Sequence, residues 1–240
     1  MRVCADPDNL PFSHEDGSGF ENRIAALLAE DLGLRLEYAW LPDRRGFVRK
    51  TLGAELCDVI VGVPAGFERT SNTKPYYRST YVLVAPASAA KVHDFHDPRL
   101  RHWRIGVLLP GDDMAATPPG HALMQVGAVD NVTGFTVPGD EPAAARMVHA
   151  MERGELDAAF LWGPQAGYFA ARSGVPLRLQ RVPAPAQVAT QRFEFGIAMG
   201  VRRGDTALRD RLDAWLVQRR PDILRILSDY GVPLVEGARP

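Results

Sequence analysis

The sequence predicts an α/β protein of two lobes, each a mostly parallel sheet flanked by helices, with two strands joining them as a hinge. Three observations lead there. Residues 2–63 read strand, helix, strand, helix, strand, the pattern of parallel pairing through right-handed crossovers. After a linker rich in Ala, Pro and Ser at 85–90, the pattern restarts at Arg104. The last strand-like run, 193–201, precedes two amphipathic helices that need a sheet to cover, and the first lobe is their natural partner. The first lobe is thereby discontinuous, 1–84 with 193–240, and the second, 85–192, is inserted into it. That describes a hinged clamshell.

Each element has a local reason. Residues 2–5 form a short strand, and Asp6-Pro-Asp-Asn-Leu-Pro-Phe-Ser a turn-rich loop. Phe20, Ile24, Leu27, Leu28 and Leu32 recur at helical spacing, and Gly33 stands where a left-handed C′ residue belongs. Residues 34–41 alternate as a strand, 42–46 form a loop, and Phe47, Val48 and Leu52 suggest a short helix. Asp58-Val-Ile-Val-Gly-Val63 is the third strand. The chain is organised around the stretch that follows, GVPAGFERTSNTKPYYRSTYVLV. It holds a polar loop with Glu68-Arg69, two tyrosines, Arg78 and a second strand at 79–84. Such a stretch suits a ligand crevice outside the carboxyl edge of a sheet. It equally suits an ordinary strand–loop–strand with both arginines solvated.

In the second lobe 104–109 is a strand, Pro110-Gly-Asp-Asp a turn, and the next helix is broken near Pro118-Pro119-Gly120. A strand lies within 126–137. A helix covers 142–153, with Pro142 in the tolerated first turn and Gly154 ending it. Asp157-Ala-Ala-Phe-Leu-Trp162 is a buried strand, and Pro164 begins a helix running to Arg172. Asp205 is a candidate N-cap for the helix carrying Leu208, Leu212, Trp215 and Leu216. Ile223, Ile226, Leu227 and Tyr230 define the last helix before Gly231 and Pro233.

The composition excludes several classes. With 46% hydrophobic and 24% charged residues, disorder is not an option. A net charge of −1 argues against non-specific nucleic-acid binding. No apolar run approaches the roughly 20 residues of a membrane helix. Cys4 and Cys57 are compatible with one disulfide in an oxidising compartment. As parallel neighbours they would stand about 10 Å apart at about 3.3 Å per residue, against the roughly 5.5 Å a disulfide wants. Bridged and free forms both stand. The histidines, with His93-x-x-His96 the nearest pair, lack metal-ligand spacing, and no acid and base stand at catalytic spacing. No enzyme, and no enzyme cofactor, is expected. The chain starts inside a strand-like segment, so either it is cytosolic or Met1 heads a processed form.

Gly19-Phe-Glu-Asn-Arg-Ile-Ala, the Asp58-Val-Ile-Val-Gly strand, Glu68-Arg69 and Pro75-Tyr76-Tyr77 resemble the extracytoplasmic solute-binding proteins of ABC importers, in the branch that includes amino-acid receptors. CADPDNLPFS, GVPAGFER, PYYRSTYVLV and TPPGHAL resemble more closely the subfamily associated with quinoprotein dehydrogenases, which includes accessory proteins encoded with methanol dehydrogenases. The resemblance covers nearly the whole chain. It implies a type II periplasmic-binding-protein fold and a periplasmic monomer, its signal peptide absent from this chain, neither embedded in the membrane nor bound to nucleic acid. In amino-acid receptors an arginine after the third strand clamps the ligand's carboxylate. Arg69 stands in the matching place, on a loop to Pro75 that is a few residues shorter. Where that branch has an aspartate for the ligand's ammonium, this chain has Trp162. An indole cannot neutralise an ammonium as a carboxylate does, so a simple α-amino acid is not the expected ligand.

The expected ligand-binding residues sit in loops at strand ends: Asn9 and Phe12, then Trp40, Arg44 and Arg45, then Arg69. The hinge adds Tyr76, Tyr77 and Arg78, and the second lobe Thr117, Trp162 and Gly163, with the Gly111-Asp112-Asp113 turn nearby. Guanidiniums with aromatic faces suit a planar ligand bearing carboxylates. Pyrroloquinoline quinone (PQQ), the cofactor of the dehydrogenases this subfamily accompanies, is the best candidate. Each residue also has a plainer role. Arg44 and Arg45 can be solvated, Trp40 core, Tyr76 and Tyr77 hinge packing. The transport reading takes an ABC permease as partner. The alternative is a non-transport accessory protein that binds a methanol dehydrogenase or its cytochrome for maturation or activation.

Overall fold

A computed structural model describes residues 1–109, 116–137, 141–185 and 192–235. The expected turn at Pro110-Gly-Asp-Asp, and with it Gly111, Asp112 and Asp113, lies outside the described residues. The chain divides into two compact units. Unit 1 comprises Met1–Arg78, Phe195–Tyr230 and the residues from Leu234; unit 2 comprises Ser79–Glu194 and Gly231–Pro233.

The elements of the chain's first part are β1 (Arg2–Ala5), β2 (Asp8–Asn9), β3 (Ser13–His14), α1 (Phe20–Asp31), β4 (Glu37–Trp40), α2 (Phe47–Lys50), a 3-10 turn at Leu52–Ala54, β5 (Val59–Pro64), β6 (Ser71–Asn72) and β7 (Tyr77–Pro86). There follow β8 (Ile105–Leu109), α3 (Pro118–Gln125), β9 (Val132–Thr136), α4 (Ala143–Glu152), β10 (Ala158–Trp162), α5 (Gly163–Ala170) and β11 (Leu177–Gln180). Last come β12 (Glu194–Val201), α6 (Thr206–Gln218) and α7 (Arg220–Asp229). The chain leaves unit 1 within β7 and returns at the start of β12.

In unit 1 the strand order is β4-β1-β5-β12. β1 runs parallel to β4 and β5, and β12 antiparallel to β5. Helix α1 buries Phe20, Ile24 and Leu28, one residue per turn. It ends as its glycine predicts: Gly33 takes φ +63°, and Leu34 N–H reaches back to the Ala29 carbonyl. The short hairpin β2–β3 fills the stretch expected to be a loop. Its approach to the helix start explains Gly19, where a Cβ would sit 2.2 Å from the Phe12 carbonyl oxygen. Asn22 Oδ1 accepts from both Gly19 N–H and His14 N–H, which clamps hairpin to helix.

The disulfide that the sequence left open is formed, Cys4 to Cys57, with Cα atoms 5.4 Å apart. The 10 Å expectation fails because Cys57 is not on the strand. β5 begins at Val59, level with Val3, and the chain bends at Cys57–Asp58 where Arg2 holds it. Both sulfurs lie in a core with Phe47, Leu52, Ile60, Val63 and Ala198.

In unit 2 the order is β7-β10-β8-β9, with β11 on the other side of β7. β8 is parallel to β9 and β10, and β7 antiparallel to β10 and β11. Both faces are covered. Leu83, Phe95, Ile105, Leu123 and Phe160 form the core of one, and Val84, Met147, Val148 and Leu161 that of the other. Pro118 and Pro119 do not break a helix, as expected from sequence; they open α3, where the missing N–H groups cost nothing. The fold class stands as a mixed α/β fold of mostly parallel strands.

Candidate functional site

The carboxyl ends of β1, β4 and β5 gather unit 1's chemistry. Asp6, after β1, accepts from Asp43 N–H through Oδ2 at 2.6 Å and thereby ties the loop after β4 to it. Tyr38 and Trp40, two apart on β4, stand on one face with rings stacked at 4.4 Å and 13°. Both are half-buried. Arg44 and Arg45 follow on the exposed loop.

The residue that sequence reasoning passed over is Glu21. Its position in the first turn of α1 brings its carboxyl onto β5 at Gly62, where an added Cβ would lie 2.0 Å from Oε1. The residue keeps part of its surface, but the carboxyl is withdrawn from water. That withdrawal, with the negative Asp43 nearby, pushes its pKa up to about 8. Asp43 is exposed as a residue, but partial withdrawal of its carboxyl from water, with the neighbouring Asp6, raises its pKa to about 6. Burial drives the phenols of Tyr76 and Tyr77 well above their usual range, with the charge of Glu21 contributing. Tyr76 donates to the Val61 carbonyl at 3.1 Å, whereas the buried Tyr77 hydroxyl has no partner among the described residues. The raised pKa of Glu21 favours its protonated form. In that form its carboxyl, like the Tyr77 hydroxyl, can donate a hydrogen bond. One signal was available: a glycine inside a strand marks close approach of another group.

The other expected residues fall as follows. Asn9 lies in the β2–β3 hairpin, and its carbonyl accepts from Phe12 N–H. Phe12 packs edge-on to Phe20 at 5.4 Å, Phe20 to Tyr77 at 6.2 Å, and Tyr77 to Tyr76 at 5.0 Å. Phe12, Tyr76 and Tyr77 thus join through Phe20. Arg78 is half-buried, and its carbonyl accepts from Val235 N–H. In unit 2, Thr117 occupies the N-cap position of α3, but its buried hydroxyl makes no capping hydrogen bond and lacks a partner among the described residues. Trp162, ending β10, packs against Tyr81 at 5.3 Å. Gly163 is a close-approach glycine, since a Cβ there would lie 2.4 Å from Ser79 Oγ.

Arg69 is the correction. The sequence places it at the carboxyl edge of the third strand, but residues 65–70 double back along the sheet. β6 therefore pairs with Gly200 and Val201, which pair with Ile60 and Val59 at the amino end of β5. Arg203 donates to the Glu68 carbonyl at 2.8 Å and holds the return in place. Arg69 lies at this opposite edge, beside Arg49, Arg202 and Arg203. The short loop to Pro75 leaves no length for a helical turn that would keep it at the top.

Mostly parallel sheets flanked by helices, with Tyr38 and Trp40 stacked at the end of β4, have the layout of an α/β binding protein. The chain belongs to the family described as bacterial extracellular solute-binding proteins, which residues 60–232 match. Its sequence is 34% identical to Protein MoxJ of Methylorubrum extorquens over 98% of this chain and 81% of that protein. In structure it is similar to the periplasmic binding protein XoxJ from Methylobacterium extorquens AM1, with TM-score 0.82 and 35% identity over 99% of this chain and all of that one. MxaJ from Methlophaga aminisulfidivorans MPT matches with TM-score 0.82 and 26% identity over 98% of this chain and all of that one. Among the described residues no helix is long and apolar enough to cross a membrane.

Proposed function

We propose that this chain is the periplasmic binding protein of a methanol- or alcohol-oxidising quinoprotein system and that it holds a flat, anionic small molecule, PQQ being the best candidate. The observation that carries the ligand class is the half-buried Tyr38–Trp40 stack at the ends of parallel strands. Arg44 and Arg45 follow on the next loop, and Glu21 and Tyr77 supply neutral donors. A flat ring stacks on the aromatic pair, the guanidiniums meet carboxylates, and the neutral donors meet ring carbonyl oxygens. Similarity to MoxJ, XoxJ and MxaJ supports placing the protein in that system.

Titration with PQQ, followed by tryptophan fluorescence and calorimetry, tests this reading. Saturable quenching with measurable heat is expected, and Trp40→Ala should weaken binding by about 1–3 kcal/mol. Absence of both heat and quenching at high micromolar PQQ would remove the ligand.

A further inference from the structure

The displacement of Arg69 creates a second feature. A groove of about 580 Å³ lies on unit 1 between the α2 segment and the loop that follows β12. Its floor is apolar, with Val48 and the buried Leu52, and its walls carry Arg49, Arg69, Arg202 and Arg203. Among the described residues no carboxylate lines it. In a chain of net charge −1 this is a strong local excess of positive charge.

Three separate stretches of chain supply these guanidiniums, so sequence proximity does not account for the cluster. Two are braced from behind. Arg202 donates to the Cys57 carbonyl at 2.5 Å and pairs with Asp58 at 3.4 Å, and Arg203 is held by the Glu68 carbonyl. Arg49 and Arg69 have neither hydrogen-bond nor ion-pair partner among the described residues. Like charges gathered this way repel one another, and an anionic occupant relieves that repulsion.

We infer that this groove docks an acidic segment of a partner protein, an extended run bearing several carboxylates. Two things favour a peptide over a small anion. The groove lies by the amino end of β5, whereas this architecture binds small ligands at the carboxyl ends of strands. Its volume holds several residues rather than one ion. Arginines over an apolar floor are also the side chains that anchor protein interfaces. The inference is separate from the PQQ reading and concerns the other end of the sheet.

Fluorescence anisotropy of a labelled hexaglutamate peptide with the whole protein tests it, with hexalysine as control. Saturable binding of hexaglutamate alone is expected, weakening as salt rises from about 50 to about 300 mM. Arg49→Gln with Arg69→Gln should cost roughly tenfold in affinity or more. Both side chains are exposed, so folding is retained, and circular dichroism checks that. PQQ titration of the same variant should match the parent protein, which separates failure here from failure of the small-molecule reading. Hexaglutamate binding that ignores the double substitution overturns the proposal. So does displacement of the peptide by citrate at equal total carboxylate, which would mark a small-anion site.

Discussion

Glu21 shows how one side chain can carry a measurable signature of its site. Its pKa in the folded protein, about 8, lies above the ordinary 4.5. Between those values the folded state binds more protons than the unfolded chain, so stability falls as pH rises through that window. Asp43 adds a slope of the same sign between 3.8 and about 6. Glu21→Gln removes the larger part. Urea denaturation at pH 5 and pH 9 should show the parent losing on the order of 4 kcal/mol that the variant keeps. Equal losses in both would mean the carboxyl is solvated. Gly62→Ala tests the geometry behind this. The new methyl must displace a flexible carboxyl, so the fold should survive at a cost of about 1 kcal/mol, while the Glu21 pKa drops back towards 4.5 in a carbon-detected NMR titration.

At the scale of elements, what joins helices is a few polar contacts at their ends. Asp31, at the end of α1, accepts from Trp215 Nε1 at 2.7 Å and from Arg219 Nε at 2.7 Å, which fastens α6 to α1. The Arg219 guanidinium, first, and the indole N–H hold the Asp31 carboxyl down to about 2. Its contribution is therefore present above pH 3.8 and is lost as pH falls towards 2. Asp31→Asn should lower the thermal midpoint at pH 7 and flatten the acid limb of a melting profile; an unchanged profile would mean the contact is idle in solution. Most elements were legible because their periodicity is local. α1, α4, β5, β10 and β12 all appear within a residue or two of expectation. The strands β6 and β11 were not, because each is short and is defined only by the partner it meets, β12 and β7.

For the molecule as a whole the disulfide matters, since it joins residues 53 apart in sequence and closes a loop that contains α1 and β4. Closing a loop of that length restricts the unfolded chain. Reduction, or Cys4→Ser with Cys57→Ser, should cost about 2–4 kcal/mol in denaturant titrations. Protein made in a reducing cytoplasm should accordingly melt lower than protein exported to an oxidising compartment, and should recover on oxidation. Identical melting of both forms would remove the bridge as a stabilising element.

By itself the sequence determined the α/β class, the order of the main elements and membership of the solute-binding family, because hydrophobic period, caps and local strings are properties of neighbours in the chain. Trp40 was also visible in that way, as an aromatic on an alternating strand. Only the tertiary structure decided that Cys4 meets Cys57, that Glu21 lies over Gly62 and that Arg69 belongs to the opposite end of the sheet from its expected place. Each depends on where a chain bends or doubles back, which is set by pairing with strands far away in sequence and not by the residues of the loop.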